Sequence, residues 1–281
     1  MPTIKALFAA GFTALLSRYS PFGAINLLVP RTGFAVHRGL AFGADARQML
    51  DVYVPDGLMG PAPVLLFFYG GGWQGGRREQ YLAFGQAFAS AGMVTVVADY
   101  RLYPQVKYPD FVADAAAALA WVHGHIARYG GDPGRVFVSG HSAGAYNAVM
   151  LASEPKFIAA HGGSLSWIRG VIGISGPYNF LPMRDPIYVD MFHGTDNTDS
   201  MPVYHVDGPR PPMWLATGTG DDTVGQKNTD DMARTLRGHG SPVEVVKYKG
   251  IGHIGIILSL VPGFRGMTSL RRDMIRFIGA H

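Results

Sequence analysis

Residues 136–144 read Val-Phe-Val-Ser-Gly-His-Ser-Ala-Gly. The run that opens this stretch is apolar and β-branched and predicts a buried strand, whereas the alanine-rich residues Ala143–Ser153 that follow favour a helix. Ser142 therefore lies on a sharp strand-to-helix turn, where the small residues on each side of it permit strained backbone angles. Because such a turn projects the hydroxyl from its tip, Ser142 is a candidate nucleophile.

Strand and helix patterns alternate along most of the chain. Apolar runs typical of strands occupy 49–54, 64–68, 94–98, 136–139, 170–175, 212–217 and 243–248. Helical patterns occupy 80–91, 111–129, 143–153, 228–239 and 269–278, and the second of these is followed by a turn at 130–134. This alternation predicts an α/β fold with a mostly parallel central sheet and helices on both faces. Catalytic residues of such sheets gather beyond the carboxyl ends of the strands.

Two segments do not follow this alternation. Residues 177–211 are rich in prolines, aromatic residues and turn formers, and we interpret them as a small cap-like insertion over the active site of a domain spanning 37–281. Residues 1–36 are predicted to be an apolar helical segment that packs over the active site. Its apolar core, 6–16, is too short to cross a bilayer. A membrane-surface helix and a signal peptide are the alternatives.

The composition narrows the classes of function. The chain has 281 residues, of which 16% are charged, and a net charge of +4 without a Lys/Arg-rich run, which argues against a nucleic-acid partner. The absence of cysteine excludes disulfides and thiolate metal sites. No metal-binding motif is present, so neither a metal nor another cofactor is expected. We expect a cytoplasmic protein whose partner is a small-molecule ester. Weak membrane-surface association through residues 1–36 and the oligomeric state stay open.

A serine hydroxyl needs a base within hydrogen-bond reach, and the base needs a carboxylate to orient it. In hydrolases with this turn the chain order is Ser, then Asp or Glu, then His. The glycine-rich loop after strand 243–248 carries His253, which we predict to be the base. The loop after strand 212–217 carries Asp221, the predicted orienting carboxylate, and beside it Asp222, the alternative. His141 is interpreted as a packing and hydrogen-bonding residue.

A glycine loop provides candidate donors for the negative charge that develops on a carbonyl oxygen under attack. Tyr69-Gly70-Gly71-Gly72-Trp73 follows strand 64–68, and its three glycines allow the backbone to approach a substrate closely. The amide of Ala143, the residue after the nucleophile, should complete an oxyanion hole. A plain glycine turn or a phosphate-binding loop is the alternative, although the loop lacks the Gly-Lys-Ser/Thr ending of a P-loop.

With these motifs in place, the chain resembles the esterase/lipase branch of the α/β-hydrolases, specifically its hormone-sensitive-lipase-like and arylformamidase-like enzymes. The resemblance covers about residues 37–281 and rests on ordered motifs: Leu50-Asp51-Val52-Tyr53-Val54-Pro55, Tyr69-Gly70-Gly71-Gly72-Trp73, Asp99-Tyr100-Arg101-Leu102, Gly140-His141-Ser142-Ala143-Gly144, Gly218 to Val224, and Gly252-His253. It implies that the amides of Gly71, Gly72 and Ala143 form the oxyanion hole. The family's loop usually begins His-Gly-Gly, and since Tyr69 replaces that His, support of the loop is expected to differ.

The motifs together predict a serine hydrolase that cleaves a hydrophobic acyl or aryl ester through an acyl-enzyme. An arylformamidase, which hydrolyses N-formylkynurenine-type amides, would use the same machinery. Acyl transfer to an alcohol instead of water would need only a drier pocket. A catalytically silent binding protein of the same fold is the alternative from another class, because a fold does not imply a function.

Overall fold

The computed structural model describes residues 26–281, so the apolar segment predicted at 6–16 lies outside the described residues. The strands are β1 Phe34–Ala41, β2 Met49–Pro55, β3 Ala62–Phe68, β4 Val94–Ala98, β5 Gly131–His141, β6 Gly170–Ile174, β7 Met213–Gly218 and β8 Val243–Tyr248. The α-helices are α1 Leu82–Ala89, α2 Asp110–His125, α3 Ala143–Ser153, α4 Lys156–Ala159, α5 Pro186–Met191, α6 Lys227–Gly238, α7 His253–Leu258 and α8 Leu270–Ala280. Short 3-10 turns lie at Asn26–Leu28, Arg78–Tyr81, Ile126–Tyr129, Leu165–Trp167, Thr198–Ser200 and Pro202–Tyr204.

The strands form one sheet in the order β1-β2-β4-β3-β5-β6-β7-β8. β2 runs antiparallel to both of its neighbours, and every pairing from β4 to β8 is parallel. The predicted mostly parallel α/β sheet is therefore confirmed. The central strands β3 and β4 are almost entirely buried, which explains why their sequences are almost continuous apolar runs. Helix α3 is buried along its whole length.

The first strand of the sheet crosses the segment boundary that the sequence predicted between residues 36 and 37. The boundary drawn between 36 and 37 falls inside β1, which begins at Phe34 and pairs with β2 from Phe34↔Pro55 onward. β1 is an edge strand, and most of its residues are exposed or half-buried. An edge strand with one partner needs no continuous apolar run, so its pattern is too weak to be read from sequence.

The turn predicted at 130–134 is also partly wrong, because β5 begins at Gly131. Gly131 pairs with Ala62 of β3, and the register then shifts before Val64↔Val136. The strand therefore includes Asp132-Pro133-Gly134, residues that favour turns, at the position of the register shift. The helix predicted at 111–129 ends as an α-helix at His125 and continues as a 3-10 turn, after which Gly130 adopts φ +77°. The helix predicted at 80–91 likewise divides into a 3-10 turn and α1.

The loops that follow β3, β5, β6, β7 and β8 meet at one edge of the sheet, because parallel strands present their carboxyl ends to the same side. The loop after β6 is the longest of them and contains α5 and two 3-10 turns. It holds the predicted insertion 177–211. Across residues 26–281, no helix has the length and apolarity needed to cross a membrane.

Candidate active site

Ser142 occupies a strained turn between β5 and α3, with φ +55° and ψ −124°. Two glycines make this turn sterically feasible. A Cβ at 140 would lie 2.2 Å from the backbone of Gly144, and a Cβ at 144 would lie 2.0 Å from the carbonyl oxygen of Phe68 on β3. The spacing of the two glycines around Ser142 is therefore required by close packing of the turn against itself and against the sheet.

Three side chains that the sequence placed far apart form a continuous hydrogen-bonded relay. The Ser142 hydroxyl donates to Nε2 of His253 over 2.9 Å, and Nδ1 of His253 donates to Oδ2 of Asp221, also over 2.9 Å. The side chain of His253 is 10% exposed, and that of Asp221 is fully buried. The structure thus brings the predicted nucleophile, base and orienting carboxylate together in the predicted order.

Contacts between the loops after β7 and β8 explain this convergence. The amide of Gly220 donates to the carbonyl of Ile251 over 3.0 Å, and the amide of Gly250 donates to the hydroxyl of Thr219 over 2.8 Å. The two loops are consequently held side by side, one carrying the aspartates and the other carrying the histidine. Asp221 points inward to His253, whereas Asp222 is exposed.

The environment of Asp221 favours its charged form. Burial alone would raise its pKa, but the hydrogen bond from His253 and the bond from the backbone amide of Val224 outweigh it, so the pKa lies below the usual range for aspartate. Oδ1 accepts from the amides of Thr223 and Val224 over 3.1 and 2.8 Å. Oδ2 remains for His253. Asp221 is therefore a fixed negative charge that would stabilise an imidazolium at 253.

His141, next to Ser142, holds the loop that carries His253. Its Nε2–H donates to the backbone carbonyl of His253 over 3.0 Å, and the two rings lie 4.8 Å apart. Burial and the neighbouring His253 lower the pKa of His141 to about 3. His141 is therefore neutral near pH 7, which agrees with its interpretation as a packing and hydrogen-bonding residue.

The low pKa of His141 predicts a specific acid sensitivity. The unfolded chain takes up this proton near pH 6.5, whereas the folded protein resists it down to about pH 3, so stability falls as pH drops through that interval. The loss should approach about 1.4 kcal/mol per pH unit for this single proton. Thermal melting between pH 7 and pH 4 checks this. His141→Gln should flatten the slope, while Gln in place of the exposed His161 should not. Equal slopes in both variants would contradict it.

The glycine loop after β3 presents unpaired amides to the same site. Gly71 and Gly72 adopt φ +140° and +58°, which L side chains rarely adopt, and a Cβ at 71 would lie 2.2 Å from the carbonyl oxygen of Gly75. The amides of Gly71, Gly72 and Ala143 donate to no other group within residues 26–281. All three residues line the cavity that contains Ser142. The arrangement thus offers free donors beside the hydroxyl.

An arginine missed by the sequence analysis holds the glycine loop, which in the structure extends from Tyr69 to Gly76, at both of these ends. The guanidinium of Arg47 donates to the hydroxyl of Tyr69 and to the carbonyl of Gly76, each over 2.8 Å, and also to the carbonyl of Tyr100 over 3.0 Å. The Tyr69 hydroxyl in turn donates to Asp99 over 2.7 Å. Tyr69, which stands where the resembled family carries His, is therefore held by a partly buried polar network. Arg47 has no local sequence signal, because its partners are 22 to 53 residues away.

Trp73 anchors the middle of the loop. Its backbone has φ +58°, and its indole Nε1–H donates to the side chain of Asn147 on α3 over 3.1 Å. Its ring packs edge-on against Tyr146 and Phe192, with centroids 5.1 and 5.0 Å apart. The loop is consequently tied to helix α3, which follows Ser142, and this fixes the amides of the loop relative to the amide of Ala143.

The site opens into a cavity of about 740 Å³. Most of its walls are apolar or aromatic, and the insertion contributes Pro177, Phe180, Pro182, Met183, Arg184, Asp185 and Tyr188. These insertion residues had no individual signal in the sequence beyond the aromatic content of the segment. In the described part of the chain, no cluster of three or more His, Asp or Glu side chains could hold a metal ion.

Comparison with known proteins finds relatives that are named as ester hydrolases. The probable isoprenylcysteine alpha-carbonyl methylesterase ICMEL1 of Arabidopsis thaliana is 30% identical over 266 residues, which are 86% of this chain and 56% of that protein. The esterase LipC of Mycobacterium tuberculosis is 30% identical over 240 residues, 78% of this chain and 60% of the relative. The alignments with the plant relatives cover 79% to 87% of this chain. They cover only 56% to 64% of the length of those relatives.

Solved structures show the same architecture. The propionate-bound esterase 2 of Thermogutta terrifontis is 26% identical and superimposes with a TM-score of 0.71 over 89% of this chain and 96% of that one. Esterase B of Lactobacillus rhamnosis, at 20% identity and a TM-score of 0.80 over 98% and 95% of the two chains, shares the fold. The BD-FAE family model matches residues 50–236, which include Ser142 and Asp221. The chain therefore belongs to the BD-FAE family, within the esterase branch of the α/β-hydrolases.

Proposed function

We propose that the protein is a serine hydrolase that cleaves carboxylic esters through an acyl-enzyme, with Ser142 as nucleophile, His253 as base and Asp221 as orienting carboxylate. The observation that carries the proposal is the unbroken relay of two 2.9 Å hydrogen bonds from Ser142 to Asp221. A silent binding protein would have no need of such a relay. The arrangement also includes a strained backbone at Ser142, and such strain costs stability unless it serves a function.

The proposed reaction has two half-reactions, acylation and deacylation of Ser142. His253 removes the proton from Ser142 as its oxygen attacks the ester carbonyl, and the resulting imidazolium is stabilised by the buried carboxylate of Asp221. The imidazolium then gives this proton to the leaving alkoxide, which departs as the alcohol and leaves Ser142 acylated. Water, deprotonated by His253, attacks the acyl-enzyme, and collapse of the second intermediate returns the proton to Ser142 and releases the acid.

The amides of Gly71, Gly72 and Ala143 are the proposed donors to the oxyanion. Both tetrahedral intermediates carry a negative oxygen, and donors fixed before the reaction stabilise it without reorganisation. The bracing by Arg47 and the anchoring of Trp73 support this assignment, because they hold the glycine loop in a strained conformation beside Ser142.

The lining of the cavity supports a hydrophobic acyl or aryl ester as the substrate. Trp73, Phe180 and Tyr188 form an aromatic wall, with ring centroids 6.2 to 6.4 Å apart. Burial of a hydrocarbon group against such a wall is favourable, whereas these rings offer little compensation for the lost hydration of a charged group. The relatives reported above are named as esterases, which favours an ester over the formyl amide that an arylformamidase would cleave.

The proposal is tested by the turnover of p-nitrophenyl esters from acetate to octanoate, together with labelling by a fluorophosphonate probe. We expect hydrolysis of the series and a single probe adduct, which mass spectrometry should locate on the peptide containing Ser142. N-formylkynurenine should be turned over more slowly than the best ester. Folded protein that neither hydrolyses an ester nor takes up the probe would overturn the proposal.

Arg47 should affect catalysis from outside the cavity. Arg47→Met removes the donors to Tyr69 and Gly76, which frees the glycine loop to move and misaligns its amides. Loss of a single oxyanion donor typically costs about 10²–10³ in rate, so partial misalignment should lower kcat by about tenfold or more, with a small effect on KM.

Arg38 provides the matched control. It forms an ion pair with Asp51, but its side chain is 47% exposed and none of its hydrogen bonds reaches the glycine loop. Arg38→Met should leave kcat near that of the wild type. Equal rates in the two variants, or a decrease caused only by KM, would contradict a positioning role of Arg47.

A further inference from the structure

A second, much smaller cavity lies beside the active-site cavity. Its lining consists of Gln80, Tyr81, Ala83, Phe84, Ile257, Leu260 and Val261. All of these except Gln80 are apolar or aromatic, and those six are at most 7% exposed. The volume is only about 10 Å³, compared with about 740 Å³ for the main cavity. Gln80 and Tyr81 line both cavities, so these two residues lie at the boundary between them.

The ring of Tyr81 is a rigid part of this wall. It stacks on Tyr69 with centroids 5.4 Å apart and planes at 16°, and it packs against Phe67 at 5.5 Å. Its phenol also makes a hydrogen bond with the backbone of Gly70. Since Tyr81 is 5% exposed and held on several sides, a substrate chain that reaches it cannot displace it at low cost.

The position of the second cavity indicates which part of an ester would reach it. Helix α7 begins at His253, and Ile257, one turn later on the same helix, lines the second cavity. The leaving oxygen must lie within hydrogen-bond reach of His253 Nε2 to receive its proton. The alcohol portion therefore lies on the side of α7, and the aromatic wall of the insertion remains for the acyl portion.

We propose that Tyr81 sets the maximum length of the ester's alcohol chain, and that the small cavity is a closed extension of the alcohol site, suited to a linear alkyl group. This inference rests on the proposed ester hydrolysis. The wild type should accept short alcohols and reject long ones. Shortening the side chain at 81 would join the two cavities and add apolar volume at the end of the alcohol site.

The test compares Tyr81→Ala with Tyr81→Phe in two ester series. One series varies the alcohol, from ethyl to octyl acetate, and the other varies the acid, from p-nitrophenyl acetate to octanoate. Each methylene that moves from water into an apolar site contributes about fourfold to kcat/KM. Tyr81→Ala should therefore raise the octyl-to-ethyl ratio of kcat/KM by about tenfold or more, whereas the octanoate-to-acetate ratio in the acyl series should stay nearly constant. Tyr81→Phe keeps the ring and should retain the wild-type ratios in both series.

Val261→Ala distinguishes a specific barrier at Tyr81 from a general loosening of the fold. It enlarges the second cavity but leaves Tyr81 in place, so alone it should not change the alcohol profile. Combined with Tyr81→Ala, it should extend the accepted chain further. If circular dichroism shows that Tyr81→Ala does not fold, Tyr81→Leu, which retains part of the packing, carries the same comparison.

The outcomes are distinct. An unchanged alcohol profile in folded Tyr81→Ala, a change confined to the acyl series, or a shift equal to that of Val261→Ala would each overturn the role of Tyr81, while hydrolysis by the wild type would stand. If the wild type hydrolyses no member of either series, the proposed function itself fails, and that result is independent of position 81.

Discussion

Replacement of Ser142 by alanine is expected to reduce ester hydrolysis by about 10⁴-fold or more. The hydroxyl is the group whose oxygen would become acylated, and it is the donor to Nε2 of His253. Without it neither the acyl-enzyme nor the relay can form, although the free amides of the glycine loop would still favour slow attack by water. Steady-state rates on the best p-nitrophenyl ester, together with loss of fluorophosphonate labelling, check this result.

A second variant, Ser142→Gly, controls for the possibility that Ser142→Ala is inactive because it is unfolded. Alanine retains a Cβ at φ +55°, whereas glycine adopts this conformation at little cost, so Ser142→Gly should be more stable than Ser142→Ala by about 1 kcal/mol. Both variants should be inactive. A Ser142→Ala protein that melts like the wild type and still turns over the ester at a comparable rate would exclude Ser142 as the nucleophile.

The central fold could be predicted from sequence because its signals are local. The strands β3 and β4 are covered on both faces, so their residues form apolar runs that only Thr95 interrupts. The turn at Ser142 is likewise marked by its own glycines, which pack against backbone within a few ångströms. In contrast, β1 is an edge strand with mostly exposed or half-buried residues, and nothing in its sequence requires a strand.

The supports of the site could not be predicted, because they depend on partners distant along the chain. Arg47 reaches Tyr69 and Gly76 only after β2 and β3 have joined the same sheet. The contact of His141 with the carbonyl of His253 spans 112 positions. Sequence motifs indicate which residue types perform the chemistry. The groups that hold them follow from how the strands are ordered.

The choice between Asp221 and Asp222 shows the same limit at single-residue scale. The sequence favoured Asp221 and left Asp222 as the alternative, because two adjacent carboxylates in one loop can both satisfy the same chain order. In the fold, the amides of Thr223 and Val224 bind Oδ1 of Asp221, and this orients the carboxylate so that Oδ2 meets His253. Asp222 then points to solvent. The backbone beyond the aspartates thus decides which of them can serve the histidine.

Asp221→Asn is accordingly expected to lower kcat by about 10⁴-fold, with a much smaller change in KM. An amide at 221 can offer its NH₂ to Nδ1 of His253, which would place the imidazole proton on Nε2. The ring would then be unable to accept the proton of Ser142, and no negative charge would remain to stabilise an imidazolium. Steady-state kinetics on the ester used for Ser142 measure the effect.

Asp222→Asn is the matched control, because it makes the same chemical change one residue away on an exposed side chain. Its kcat should stay within about threefold of the wild type, since surface substitutions that touch no buried partner have small effects.

The lowered pKa of Asp221 adds a second check, on the pH dependence of stability. Because stability from a depressed carboxylate is present above its unfolded pKa near 3.9 and is lost as pH falls through the lower folded value, Asp221→Asn should weaken the acid-dependent loss of stability below about pH 4. A larger loss of activity in Asp222→Asn than in Asp221→Asn would exchange the two roles and show that the loop rearranges before the reaction.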